Sequence, residues 1–427
     1  MAAPRLPAGR VVKVPDLLRQ RNFRLFFEGQ SVSLLGDQIS LLAIPLTAIL
    51  VLHAGAEQLG LLTAMSLLPS LLFSLAAGAA IDRRGRRRNT MLIADWIRGA
   101  AMLSLPVAYA LGHLTLVHLY LVAFVVGTLD VLFFVSYNAM IVALVRPHEY
   151  VEANALLNGS RSLAGVLGLT LGGALVGALT APGALLVDAV SFLYSGAQIA
   201  RTDPTEPAAD PTQSHGISHG ARWIAGNPLV RAMLASTATV NLFTFIGNAI
   251  LVLYASRTLH LGPTLIGLTF GAGAVGGIVG ALTARRLEHR IGLGRALVVG
   301  SFLFPLPWLL FPAAHGTEAM VLGMLAAGEF ASSVGVIWLD ITAAAIFAQQ
   351  IPNHLRSRVA GAYRTVNYGV RPLGAVIGGF LGASIGLRDG LWIAAIGASC
   401  AGLPLLRQAV LSLRSATQPQ PARQAAV

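Results

Sequence analysis

The sequence predicts an all-α integral membrane fold of twelve transmembrane helices in two six-helix bundles. Three observations carry that prediction. The first is composition: 55% of the 427 residues are hydrophobic and 11% are charged, against about 25% charged in a soluble domain. The second is that the apolar sequence falls into twelve runs, each close to the roughly 20 residues needed to cross a bilayer. The third is a one-sided distribution of arginine.

The runs lie near 23–52, 58–81, 90–111, 115–144, 152–179, 183–200, 229–257, 264–286, 294–312, 317–347, 356–384 and 389–407. The first is too long for a signal-peptide core and lacks a small-residue cleavage pattern, so it reads as a permanent span. Several runs are glycine-rich, such as 271–280 (GAGAVGGIVG). Small residues suit spans because they let helix backbones approach closely. Helix is the expected state throughout, since lipid offers no partner to backbone N–H and C=O groups. The alternating ten-residue segments of a β-barrel are absent.

Net charge is +12, and almost all of the basic residues are Arg, Lys13 being the exception. With the N-terminus placed in the cytoplasm, 24 of the 30 basic residues fall inside and two, Arg257 and Arg388, outside. The other four, Arg98, Arg161, Arg364 and Arg371, fall within spans. This is a positive-inside pattern. It predicts a multi-pass protein of the cell membrane with both termini cytoplasmic, and it assigns the charge to topology and lipid headgroups rather than nucleic acid. Cys400 is the single Cys, so no intrachain disulfide and no Cys-based metal site is expected.

Residues 201–227 form the longest polar interior stretch. They begin as a Pro- and acid-rich linker and end in a segment suited to a short amphipathic surface helix. The expected organisation is a tail over 1–22, bundles over 23–200 and 228–407 separated by that linker, and a tail over 408–427. The halves repeat weakly. Gly168-Leu169-Thr170-Leu171-Gly172-Gly173 matches Gly374-Ala375-Val376-Ile377-Gly378-Gly379, about half a chain later. Duplicated spans with a site between the halves are a common transporter plan.

The loop after the second run reads Gly78-Ala-Ala-Ile-Asp82-Arg83-Arg84-Gly85-Arg86-Arg87-Arg88. It resembles the G-x-x-x-D-R-x-G-R-R/K signature of the major facilitator superfamily. The strings NFRLFFEGQSVSLLGDQIS, EANALLNGSRS, LVDAVSF and RSRVAGAYRTVNYGVRPLGAVIGG resemble the branch of that superfamily that holds siderophore and macrolide exporters. The resemblance covers nearly the whole chain. It implies a gating loop of Gly78, Asp82, Arg83, Gly85, Arg86 and Arg87, with Asp82 as a latch against a neighbouring helix end. Drug antiporters of the superfamily often carry Pro where Leu169 stands, and many carry an Arg in the fourth span, where this chain has none.

A charge at the bilayer centre costs about 2.5–3.5 kcal/mol on insertion scales, so intramembrane charges should line a cavity or pair. Asp37, on a first span that the resemblance places at the cavity, is the leading proton or cation carboxylate. Asp130 on the fourth span and Glu329 on the tenth are further coupling candidates, with pairing to Arg161 the alternative for Asp130. Asp95 and Arg98, three apart, share a helix face and read as a structural or gating pair. Asp340 shares a face with Glu329, while Arg364 and Arg371, seven apart, are plausible counter-ions. Asp188 reads as structural. Phe133, Phe134, Tyr137, Phe243, Phe245, Trp338 and Tyr368 sit on spans able to reach a cavity and would suit a bulky apolar substrate.

Nucleophile elbows, metal motifs and phosphate-binding loops are absent from the sequence, so no enzyme activity, cofactor or metal is expected. Energy must then come from a gradient. One elementary charge crossing 100 mV supplies about 2.3 kcal/mol, enough for a roughly fifty-fold gradient. The expectation is a monomeric, proton-coupled exporter of a hydrophobic or amphipathic small molecule such as a drug, antibiotic or siderophore. The alternatives are translocation of lipid or lysophospholipid, and a non-transporting scaffold or sensor on a transporter fold.

Overall fold

The computed structural model describes residues 15–84, 86–204, 217–352, 355–406, 408–411 and 413. The expected tails, over 1–14 and from 414 on, and the linker core over 205–216 lie outside the described residues. The helices are α1 (Arg21–Leu50), α2 (Ala56–Arg84), α3 (Arg87–Ala110), α4 (Leu116–Leu144), α5 (Tyr150–Ala178), α6 (Ala181–Ala200), α7 (Ile217–Gly226) and α8 (Pro228–Leu253). They continue with α9 (Pro263–Ile291), α10 (Leu293–Leu303), α11 (Leu310–Ala313), α12 (Glu318–Gln350), α13 (Arg356–Ser384), α14 (Leu387–Ser399) and α15 (Gln408–Leu411). Helix starts carry the expected chemistry. Thr115, Thr180, Asn227 and Thr317 accept backbone N–H groups at the N-termini of α4, α6, α8 and α12. Pro228 and Pro263 open α8 and α9, where the missing N–H is harmless.

Ten helical segments among the described residues are long and apolar enough to cross a membrane. The last two expected runs are helical but fall outside that set. The stretch of α13 up to its middle carries Arg356, Arg358, Arg364, Asn367 and Arg371. The regular part of α14 has 13 residues before the chain tightens into a 3-10 turn over Cys400–Leu405. The run expected over 294–312 is a broken helix: α10 stops, a 3-10 turn covers Leu306–Leu309, and α11 follows. Pro305 and Pro307 explain the break, since each lacks a backbone donor and crowds the preceding turn.

Two groups of helices pack side by side. In the first, α1 lies against α5 and α6, α3 against α4 and α6, and α2 against α4. In the second, α8 lies against α13 and α14, and α12 against α9 and α10. The α7 segment packs on α13 instead of lying free on a surface. Its Ile224 is buried with Val230, Val359 and Tyr363.

The groups meet along α2–α13 and α5–α9, and each seam is set by glycine. A Cβ at Gly173 would lie 2.8 Å from Gly267 Cα and 2.5 Å from Pro263 O; one at Gly60 would lie 2.7 Å from Gly379 Cα and 2.6 Å from Ala375 O. The repeated glycine motif divides its work. Its last glycine (Gly173, Gly379) faces the other group. Its earlier ones face the home group: a Cβ at Gly172 would lie 3.1 Å from Ile39 Cα on α1, and the nearest atoms to Gly378 belong to Ile246 on α8. No side chain fits at such crossings without moving a backbone. Gly173→Ala should therefore lower stability by about 1–3 kcal/mol through overpacking. Gly165→Ala on the same helix, where the nearest atom is 3.9 Å away, should be neutral or slightly stabilising. Thermal unfolding midpoints of the purified variants in detergent check the contrast.

Candidate functional site

The helix packing brings α1, α3, α4 and α5 around a polar cavity of about 200 Å³. Its walls include Gln30, Ser33 and Asp37 from α1, Arg98 from α3, Asp130, Phe134 and Tyr137 from α4, and Arg161 from α5. Asp37, Arg98, Asp130, Phe134, Tyr137 and Arg161, singled out separately in the sequence, come together here, but the pairing differs from the alternative raised for Asp130. Asp130 bonds Arg98 at 2.5 Å and forms no ion pair with Arg161 among the described residues. Arg98 also bonds Asp95 one turn back on its own helix. The guanidinium lies between the rings of Phe133 and Phe192, 4.3 Å from each centroid. Asp95 and Arg98 are fully buried, whereas Asp130 is half exposed to the cavity. Two carboxylates and two ring faces therefore compensate one desolvated cation.

A second buried carboxylate sits behind this cavity. Asp188 on α6 accepts from Ser40 Oγ at 2.5 Å and from Ser191 Oγ at 3.1 Å. Its room comes from Gly36, where a Cβ would lie 2.5 Å from Asp188 Oδ1. Gln30 donates to Ser195 at 3.1 Å, and Ser160 to Ser31 at 2.7 Å, so polar side chains tie α1 to both α6 and α5. These serines carry no sequence signal of their own; only the Asp at helical depth marks their neighbourhood.

A second, largely apolar cavity of about 350 Å³ lies between the two helix groups. Ser40, Leu41, Ile44 and Pro45 of α1 wall it on one side, with Leu59, Leu62, Ser66 and Leu169. Phe245, Asn248, Val252 and Phe270 wall it on the other. Phe245, two residues from Phe243, faces this space. Phe243 turns away and packs with Val240 and Ala398, its ring against Gly397. Trp338 is likewise used in packing: its Nε1 donates to Gly280 O at 3.1 Å and Thr283 Oγ1 at 3.0 Å on α9.

The charges of the second group are scattered. Glu329 borders a small apolar space with Leu251, Ile266, Phe270 and Phe311. A Cβ at Gly273 would lie 3.1 Å from its Oε2. Asp340 and Arg364 are exposed. Arg371 is half-buried and stacks on Tyr368 at 4.4 Å and Phe245 at 5.3 Å. No ion pair joins Arg364 or Arg371 to Glu329 or Asp340 among the described residues, so the counter-ion role expected for the two arginines is not formed here.

Of the loop motif, Gly85 lies outside the described residues, as do the side chains of Gly78, Asp82 and Arg83, whose backbone belongs to the end of α2. Arg86 and Arg87 begin α3. The next residue has a role the motif reading missed: Arg88 donates to Ile199 O at 3.2 Å and Ala200 O at 2.5 Å, covering the carbonyl end of α6. Arg at a helix C-terminus also suits the dipole there.

The Arg98 arrangement makes a stability prediction. Arg98→Met strands Asp95 as a buried, unpaired charge and should cost about 3–5 kcal/mol. Adding Asp95→Asn should restore most of that. Asp130→Asn alone, at a half-exposed site, should cost under about 1 kcal/mol. Unfolding midpoints of the three variants check the order.

Comparison with known proteins fits this architecture. The profile of the transmembrane secretion effector family matches residues 15–424. The multidrug efflux pump Tap of Mycobacterium tuberculosis is 27% identical over 398 residues, 87% of this chain and 90% of the pump. The enterobactin exporter EntS of Citrobacter koseri is 25% identical over 419 residues, 93% of this chain and 94% of the exporter. Among solved structures, a bacterial homologue of the iron transporter ferroportin in an inward-facing state superposes with a TM-score of 0.71 at 18% identity, over 93% of this chain and 99% of that one. The nucleoside transporter NupG gives 0.67 at 12% identity, over 91% and 100%. These likenesses show the fold. With the match of the family profile along the chain, they identify a multi-pass membrane transporter and not an enzyme: the chain belongs to the transmembrane secretion effector family of the major facilitator superfamily.

Proposed function

We propose that this chain exports a hydrophobic or amphipathic small molecule in exchange for protons, by rocking two six-helix bundles of a twelve-span fold about a central site. The bundles are 23–200 and 228–407, the linker is 201–227, and the tails over 1–22 and 408–427 are cytoplasmic. The efflux pump and the siderophore exporter among its relatives support export. One observation carries the coupling: Asp37 lines the polar cavity, and Ser40 and Leu41, one turn along α1, line the apolar cavity. A protonatable group and a substrate-sized apolar space thus share one helix. Whatever fills the apolar space bears on the helix that carries the proton site.

The cycle follows from this placement. Asp37 is the leading coupling carboxylate, with Asp130 held ready beside it by Arg98, and Glu329 a further acid in the second bundle. Substrate enters from the cytoplasm and its apolar part fills the cavity. A proton arriving at Asp37 from outside removes a charge beside that cavity and favours the return. With the termini inside, Gly60 and Gly173 stand at the outer ends of α2 and α5. Their close crossings with α13 and α9 then form the outer gate of an inward-open state, and Asp82 latches the loop when the other face opens. The protein acts as a monomer in the cell membrane.

Proteoliposome flux under an imposed pH gradient tests this, with substrates first found by a dye and antibiotic screen in an efflux-deficient host. Asp37→Asn should abolish pH-driven efflux at normal membrane abundance; undiminished efflux would sink the assignment. Flux of labelled lysophospholipid, with none of any dye or drug, would instead identify a lipid translocator.

A further inference from the structure

We propose that Arg371 is an anion anchor in the second helix group. It would take the oxyanion (carboxylate, phenolate or sulfonate) of an aromatic amphiphile whose apolar body occupies the cavity between the groups. This names a substrate class for the exporter proposed above and rests on that reading for where the substrate sits.

The argument starts from a comparison of arginines. Arg98 and Arg388 both lie within helices at membrane depth or its edge, and both have polar partners, although the Arg98 Nε is itself buried without one among the described residues. Arg98 has Asp95 and Asp130. Arg388 donates to Tyr254 Oη at 3.2 Å and Ala314 O at 3.1 Å. Arg371 has a similar but looser ring environment, 4.4 Å from the Tyr368 centroid and 5.3 Å from that of Phe245, and no carboxylate within ion-pair distance among the described residues. Its Nε is buried without a hydrogen-bond partner. Four residues earlier on the same face of α13, Asn367 Oδ1 is buried and unpartnered as well. Asp340 acts on Arg371 electrostatically without forming an ion pair. A buried Nε–H without a partner among the described residues is costly, and this one, on an arginine without a counter-ion, lies one turn from the unpartnered Asn367 Oδ1, an arrangement that a bound oxyanion would complete.

The geometry also says what. Phe245, one of the two rings against Arg371, is a wall of the apolar cavity. Phe245 thus touches both the cavity and the guanidinium, which is not itself part of the cavity wall. The planar fork of Arg matches an oxyanion in two parallel hydrogen bonds, and its faces, already stacked on rings, favour an aromatic neighbour. The Asn367 carbonyl oxygen can accept from a hydroxyl carried beside the anion. The wall that the first group gives this cavity is apolar apart from Ser40, Thr63 and Ser66 and bears no cation, so Arg371 is the cation nearest to it on the side of Phe245.

Two xanthene dyes of similar ring body and opposite charge, fluorescein and rhodamine 6G, test the proposal by fluorescence anisotropy on the full chain in nanodiscs, with empty nanodiscs subtracted. Fluorescein should bind the wild type, and Arg371→Gln should weaken it at least tenfold. Arg371→Lys, which keeps the charge and loses the fork, should weaken it less. Rhodamine 6G should bind all three within twofold, which also shows that the variants are folded. Three results overturn the anchor: no fluorescein binding to the wild type, no effect of Arg371→Gln, or equal loss of both dyes. Loss of pH-driven flux for every compound, with the charge-dependent binding intact, would instead overturn the exporter reading.

Discussion

Two glycine crossings govern how the halves of this protein can sit. At Gly60–Gly379 and Gly173–Gly267 two backbones approach so closely that a methyl group has no place. In lipid, helices gain little from hiding apolar surface, because the tails are as apolar as leucine; close van der Waals fit is what holds them. A contact built only of backbone and Cα atoms is tight when made and holds no interlocked side chain that must be withdrawn when it opens. That is the mechanical property a gate needs, and the two crossings are related by the same internal repeat that relates the halves.

Charge is organised around the same division. The first group concentrates its acids: Asp37 and Asp130 line one cavity, with Asp95 behind them and Asp188 held by Ser40 and Ser191. Arg98 prevents this from being an expanse of like charge, and the rings of Phe133 and Phe192 hold it in place. Asp37 is the member of the group that borders the cavity without an ion pair to Arg98 among the described residues. Its protonation state can change without dismantling the Arg98 arrangement, whereas a change at Asp95 cannot leave that arrangement intact.

How much of this was legible in the sequence follows from the range of each interaction. The helices were, because lipid leaves the backbone no other choice and the apolar runs mark where it applies. The Asp95–Arg98 pair was, because three residues along a helix is a local distance. The partner Asp130 lies 32 residues away on a neighbouring helix, and only packing decides that it, rather than Arg161 completing a pair of its own, meets Arg98. Phe243 and Phe245 show the same limit at shorter range. Two residues apart means about 200° around a helix, so one had to face the cavity and the other had to turn away. Nothing in their identity says which. The break near Pro305 was readable in principle, since proline removes a donor wherever it falls; the apolar run concealed it.

The duplicated halves therefore share a skeleton but not a chemistry. The repeat keeps what geometry requires, the glycines and the order of helices, in both copies. Charged side chains are under no such constraint, and they have diverged: Asp37 and Asp130 share a cavity with Arg98 and Arg161 in the first group, while Arg371 on α13 has no ion pair among the described residues in the second. On the proposal above, a molecule in the apolar cavity would have the paired charges of a separate cavity on one side and the Arg371 guanidinium behind Phe245 on the other. An acidic end would then be drawn to the second group alone, and carrying it from one face of the membrane to the other would require the walls to move around it.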